Sequence, residues 1–415
     1  MPENENPTRK IIDSEEARAV KSKIKKRRAW FITVAIAAVI FLAVVIGMVT
    51  GGYEFFIDCV GIDRYVEVRP VGNELSCTVG TTSLCATTKD TIFIYDENGV
   101  SGYSTDGLWK WNTQCAFEKP SLQSYEDFVI LTDIDGHLIW GFNSDGILWK
   151  YNYDSAVKGV FVSSDLKNMY IIHEAQDFTS AVSEVSIESI ISGNPKTKYT
   201  RKFVSYHSIC VASSNTQVAI TGMYTDVNSI KGTVSFLKAE DGSEYASQVM
   251  DDDIFVKAFF TGKSSLYMAN SDKLVMMRRE ITSSDDSDTH KIIWDRQGKA
   301  TELVDIVSLG GKYCVAAYRK ANNDTDENIS NVMYYNSSGE QVYKFGINGN
   351  INGIMASDTT VSLFTDRFVY MFDNKARLIG KYESNFDVKS ISYMSDKLLL
   401  VQGENKIACV NYKGE

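Results

Sequence analysis

The sequence predicts an all-β chain, an eight-bladed β-propeller preceded by one N-terminal transmembrane helix. Three observations carry this reading. Residues 29–50 form an apolar run without a charge. Eight similar strand-and-turn units follow, and the first and eighth, at Ile92 and Ile407, lie 315 positions apart, a mean step of 45. Beyond residue 50 the pattern is short alternating runs punctuated by Asp-Gly, Asn-Gly and Ser-Gly turns, with no second helix-like period of convincing length. Seven blades would follow if one unit were misread.

Taken in order, residues 1–28 are a basic tail expected in the cytoplasm. They hold nine Lys or Arg against five Asp or Glu, and six of the positive charges crowd into 21–28, against the apolar run. Since the whole chain carries −10, the rest carries −14. Positive flanks stay on the cytoplasmic side, so the bulk of the chain is expected outside the cell membrane. A capping-box start at Asp13–Glu16 and a weak stripe of Ile12, Val20 and Ile24 would suit a segment lying on anionic lipid. A plain orientation signal is the simpler reading.

The run 29–50 is long enough at about 1.5 Å per residue to cross a hydrocarbon core of about 30 Å, with Trp30 and Tyr53 at its ends as interfacial aromatics. A cleaved signal peptide would have an apolar region of only about 7–15 residues and a small-residue cleavage site. Neither fits here. Residues 51–62 read as a linker, and 63–415 as the extracytoplasmic propeller.

Within the body, the clearest internal match pairs Asp106-Gly107-Leu108-Trp109-Lys110 with Asp145-Gly146-Ile147-Leu148-Trp149-Lys150. The repeating strands that count the blades run over 91–99, 136–146, 183–190, 232–242, 273–279, 331–339, 367–375 and 406–414. Apolar runs precede most of them, at 128–133, 169–174, 218–224, 266–270, 313–319, 361–366 and 398–403, and read as inner strands covered on both faces. Outer strands follow the turns, as at 340–346 and 376–383. The period is that of a four-stranded propeller blade, about 40–45 residues. The last unit ends after its third strand, so the unpaired strand at 65–71 is expected to complete it and close the ring.

The tryptophan-bearing turns resemble the PQQ-like, or quinoprotein-type, propeller repeat, most clearly in the first two blades, with Trp294 a fainter echo. The layout of basic tail, single helix and eight-bladed propeller resembles a Gram-positive membrane-anchored family of unknown function. The resemblance implies the fold over about 63–415. It does not imply the quinone, because many proteins of this fold carry none, and no cofactor is expected.

The search for chemistry names no catalytic, cofactor-binding or metal-ligating residue. His137, His173, His207 and His290 lack partners at ligand spacing and read as structural or surface residues. Asp133-Ile134-Asp135-Gly136 resembles the opening of a calcium loop, but Ser144 stands where the closing Glu belongs, and a type I′ turn at Asp135-Gly136 explains it better. The acidic stretches at 251–253, 285–288 and 322–328 read as solvated loops, and the Gly-Gly pairs at 51 and 310 as turns. Trp109 and Trp149 read as residues packed between blades, in preference to an aromatic platform for a sugar or quinone.

Seven cysteines occur without a CxxC pair. Most read as small buried hydrophobes, with one disulfide, Cys77 with Cys85 or Cys115, left open. The acidic body disfavours nucleic acid. The expected function is a non-catalytic, protein-binding scaffold of the cell envelope, bound to membrane lipid through 29–50 and to an envelope protein. A ligand or carbohydrate sensor is the alternative, with Tyr103, Trp140, Tyr153 and Tyr224 as contributors to an aromatic mouth. A quinone-dependent enzyme ranks third.

Overall fold

The computed structural model describes residues 66–412, apart from 77–83, 164, 176–179, 188–189, 191–195, 201–203, 227–228, 251–252, 280–288, 298–300 and 321–328. The expected tail, span and linker therefore lie outside the described residues. Tyr65–Glu415 forms one compact unit.

Among the described residues eight sheets, each built on four antiparallel strands, make up this unit, so the count is eight blades and not seven. Blade 1 contains Leu84–Thr87, Thr91–Asp96, Gly99–Ser104 and Trp109–Thr113, each paired to the next. Blades 2 to 6 repeat this order without interruption, as in Pro120–Tyr125, Phe128–Asp133, Leu138–Asn143 and Gly146–Asn152 of blade 2. Blade 7 runs from Gly353–Ala356 to Leu378–Glu383, and blade 8 has Ser390–Tyr393, Leu398–Gln402 and Lys406–Asn411. First strands of neighbouring blades touch around the axis, including that of blade 8 against that of blade 1, and between blades 2 and 3 the first strand Val157–Val162 meets the second strand Phe128–Asp133, so the ring is closed.

Alternation explains where the core sits. Successive side chains of a strand point to opposite faces. In the second strand of blade 1, Ile92 and Ile94 therefore enter the core shared with blade 8, while Phe93 and Tyr95 enter the core shared with blade 2. Each of the eight blade-to-blade interfaces has its own apolar cluster of this kind. Second strands are thus buried on both faces, as in Phe128–Asp133, Ser265–Ala269 and Thr360–Phe364, and all seven inner runs read from the sequence are second strands. The true innermost strands are shorter or half-exposed, such as Pro120–Tyr125 and Ser390–Tyr393, and escaped that reading.

Two expectations need correction. The repeat equates the strand at 91–99 with third strands elsewhere, but Thr91–Asp96 is the second strand of blade 1 and Gly99–Ser104 is its third. The closing strand at 65–71 is really two strands. Val66–Glu67 adds in parallel to the outer edge of blade 7, pairing Val66 with Gly380. Pro70–Ser76 then supplies the missing outer strand of blade 8, pairing antiparallel with Lys406–Asn411. The break falls where Pro70, which has no N–H to donate, can only begin an edge strand. Between the two, Val68 is buried at the interface of blades 7 and 8, so the crossing is itself anchored in core. Closure by an N-terminal strand holds as expected, one strand later than read.

Candidate functional site at the mouth of the ring

Antiparallel alternation sends the first-to-second and third-to-fourth turns of every blade to one end of the ring, here the near end. Second-to-third turns and the links between blades lie at the far end. At the near end, the first-to-second turns of blades 7, 8, 1 and 2 surround a cavity of about 680 Å³. Blade 1 contributes Thr88 and Lys89, blade 2 Ser124, Tyr125 and Glu126, blade 7 Ser357 and Asp358, and blade 8 Tyr393, Ser395, Asp396 and Lys397.

Hydrogen bonds run unbroken across these four blades. The Tyr393 hydroxyl sits 2.6 Å from Ser362 Oγ and donates to the Thr360 carbonyl at 3.1 Å, joining blade 8 to blade 7. Thr87 Oγ1 donates to the Tyr393 carbonyl at 3.0 Å, and Thr87 N–H donates to Ser124 Oγ at 2.9 Å, joining blade 8 to blade 1 and blade 1 to blade 2. The turns are held as firmly. Ser357 Oγ accepts from Thr360 N–H at 3.1 Å and Ser395 Oγ from Leu398 N–H at 3.2 Å, the side-chain-to-backbone bonding that favours serine in turns.

The lining is polar and of mixed charge, with Lys89 and Lys397 against Glu126, Asp358 and Asp396. Burial pushes the phenol pKa of both Tyr125 and Tyr393 well up, so each is a hydrogen-bond donor and not a base. Tyr125 donates to Gln123 Oε1 at 2.7 Å. No histidine, arginine or tryptophan lines the cavity, and no group of three or more metal-ligating side chains occurs among the described residues. The arrangement suits recognition of a polar surface or a polar small molecule by hydrogen bonding.

The aromatics expected to gather at a mouth are dispersed through the ring instead. Tyr103, Trp140, Tyr153 and Tyr224 pack in four different interface clusters. Their apolar neighbours in sequence suit core as well as they suit a platform, and only the blade register decides. Tyr125 and Tyr393, which do reach the mouth, sit at the ends of the short first strands that the sequence pattern hid.

The tryptophans divide in a way the repeat concealed. Trp149 is buried against blade 3, as expected. Trp109 is 64% exposed, contrary to expectation. The residue equivalent to Trp149 is Trp111. Trp149 pairs with Gly141 and Trp111 with Gly102, and in each case the indole covers the glycine. Trp111 then stacks on Phe142 of blade 2 at 6.0 Å and donates from Nε1 to the Ser144 carbonyl at 2.9 Å. Trp294 is buried and meets Tyr318 of blade 6 at 5.1 Å. The bulge falls at the same register in both blades, between Tyr103 and Gly102 and between Phe142 and Gly141, but the turn before it is one residue longer in blade 1, and the sequence match lies two residues off the structural one.

At the far end, the turn at 133–136 is closed by Gly136 N–H to the Asp133 carbonyl at 3.1 Å, with Asp135 in the left-handed region at φ 66°. Gly136 is not left-handed, so the turn is not type I′. The Asp135 carboxylate takes Lys119 at 2.6 Å and Lys158 at 2.8 Å, and these two ammonium partners pull its pKa down to about 2. It ties the blade 1–2 link to blade 3, as a calcium ligand would not.

His173 bonds Ser183 Oγ at 2.9 Å and His207 bonds the Phe255 carbonyl at 2.7 Å, and burial lowers the pKa of both. His137 Nδ1 contacts the Tyr153 carbonyl at 2.8 Å, and His290 is exposed. Asp253 is no solvated loop residue, since it holds Lys273 at 2.6 Å; the rest of the three acidic stretches lies outside the described residues. Gly310 and Gly311 are both left-handed, φ 54° and 64°, as a turn requires. Cys314 and Cys409 are buried free thiols, and Cys115 and Cys210 are free and half-buried. Cys59 and Cys77 lie outside the described residues.

The fold and its mouth define an eight-bladed β-propeller. The chain belongs to a family of unknown function (DUF5711), whose model matches residues 65–411. Among solved structures, the C-terminal WD40 domain of Sif2 is similar over 84% of this chain and 99% of its own, with TM-score 0.56 at 11% identity. The WD40 domain of SCAP from fission yeast matches over 84% and 95%, with TM-score 0.51 at 12% identity. BamB from Moraxella catarrhalis matches over 83% and 100%, with TM-score 0.49 at 11% identity. At such identities the likeness shows the fold alone. No curated protein matches the sequence.

Proposed function

We propose that this chain is a non-catalytic, protein-binding scaffold of the cell envelope, anchored through residues 29–50 with its propeller outside the cell membrane. The observation that carries the reading is the bonded mouth. Four blades are stitched together through Thr87, Ser124, Tyr393 and Ser362 around a polar surface of mixed charge. A rigid surface of hydrogen-bonding groups loses little conformational entropy on docking, which favours protein recognition. The charge of −14 outside the tail argues against nucleic acid. The cavity volume, about 680 Å³, supports a second reading as a receptor for a polar ligand or sugar, since such sites span about 300–1,000 Å³.

Photo-crosslinking side chains at Lys89, Asp358 and Lys397, introduced in the cells that make the protein, separate the two readings. A single protein adduct from these positions, absent from an outer-strand control at Val342, is the expected result. Adducts to polysaccharide or a small molecule alone would replace the scaffold with the receptor.

A further inference from the structure

We propose that the outer turns of blades 1 and 2 are a bilayer-contacting patch, in which Leu108, Trp109, Ile147 and Leu148 enter the boundary between lipid headgroups and acyl chains. These four side chains are 65%, 64%, 40% and 45% exposed. They occupy the third-to-fourth turns and following strands of two adjacent blades. The bond from Trp111 Nε1 to the Ser144 carbonyl, 2.9 Å, ties the two strands together beneath them. Left-handed glycines shape both turns, Gly107 at φ 82° and Gly146 at φ 121°, and the apolar residues follow directly at the start of each outer strand. Tryptophan with leucine and isoleucine exposed at the near end of two outer strands, followed by Lys110 and Lys150, is the side-chain set of a membrane interface.

Position selects the bilayer over other apolar partners. The patch lies at the near end of the ring. The chain also enters the propeller there, since Val66 pairs with Gly380, just past the third-to-fourth turn of blade 7. Residues 51–65 alone separate this entry from the uncharged run 29–50, and at full extension they span at most about 55 Å. A tethered surface meets its target at high effective concentration, so a patch of four side chains suffices where a free protein would need more. Asp106 and Asp145 flank the patch and the body is acidic, so the contact is apolar, insensitive to salt, and not strengthened by anionic lipid.

This inference rests on the anchor reading for its geometry, and two measurements keep them apart. In the first, the full chain with Trp30→Phe is placed in phosphatidylcholine nanodiscs carrying brominated acyl chains. Quenching of tryptophan emission that disappears in Trp109→Phe is the expected result. Stable incorporation without Trp109-dependent quenching would overturn the patch while leaving the anchor standing. In the second, residues 65–415, which contain all eight sheets and their cores, are floated with phosphatidylcholine vesicles. Replacing the four residues by serine should weaken binding at least tenfold with an unchanged melting temperature. Val256→Ser, 67% exposed at the far end, should leave binding unaltered. Vesicle binding by 65–415 together with failure of the full chain to incorporate would remove the anchor and keep the patch. Equal binding by the serine variant would remove the patch.

Discussion

Trp109 and Trp111 show how much a single residue's role depends on register. Both stand in the strand Trp109–Thr113, yet only Trp111 faces the next blade. The sequence does not show which tryptophan stands opposite Gly102, so the visible match selects the wrong tryptophan in blade 1 and the right one in blade 2. The glycine opposite is the better signal, because an indole lying over a strand leaves no room for a Cβ. Gly141→Ala would drive its methyl into the Trp149 indole, and chemical denaturation should show a loss of about 1–3 kcal/mol, the usual range for overpacking. Trp109→Ser should stay within about 0.5 kcal/mol of the parent, as exposed positions do. His173 makes a second test. Its burial lowers its pKa below the usual value of about 6.5, so the unfolded chain binds the proton more readily. Stability should therefore be full above pH ~6.5 and fall as the pH drops through that value. Denaturation at successive pH values should show a shallower fall for His173→Gln.

Among the elements, legibility follows burial. Second strands are covered by a blade on each side, so they read as unbroken apolar runs; seven of the eight read as inner strands from the sequence, and the eighth, Thr91–Asp96, reads as a third strand. Fourth strands such as Gln341–Asn348 alternate exposed and part-buried positions and follow obvious Gly turns. First strands are four to nine residues long, half-exposed along the axis, and without a period, which is why the mouth they carry was invisible from the sequence. Links between blades rest on ion pairs as well as core. Asp135, paired with Lys119 and Lys158, has its pKa depressed to about 2. Its contribution is therefore present above the unfolded value of about 3.9 and is lost as the pH falls through about 2. Because the Asp135 side chain is 41% exposed, water screens the pairs and Asp135→Asn should cost under about 1 kcal/mol at neutral pH. Acid titration between pH ~4 and ~2 should find the variant losing less stability than the parent.

For the whole molecule, the decisive feature is closure by a strand from the other end of the chain. A ring of sheets has no strong edge only if its last blade is complete. Here Pro70–Ser76 completes blade 8, Lys406 and Glu74 pair across the seam at 3.2 Å, and the bonds through Thr87 and Tyr393 continue the join to the mouth. The scaffold proposal and the bilayer patch both require this rigid ring, one to present the mouth and one to fix the near end relative to the point of chain entry. Removing residues 65–76 from the propeller would take buried Val68 and half-buried Leu75 from their cores, a loss of roughly 2–4 kcal/mol from those two side chains alone. Urea denaturation of 77–415 against 65–415 measures it.

Hydrogen exchange on the full chain tests the closure most directly. Amides that open only with the whole fold exchange slowest. The closed ring predicts that the amides of Pro70–Ser76 bonded to Lys406–Asn411 exchange as slowly as those of that partner strand, and that both speed up together under denaturant. Rapid exchange of Pro70–Ser76 beside a protected Lys406–Asn411 would show an open blade 8 and contradict the account.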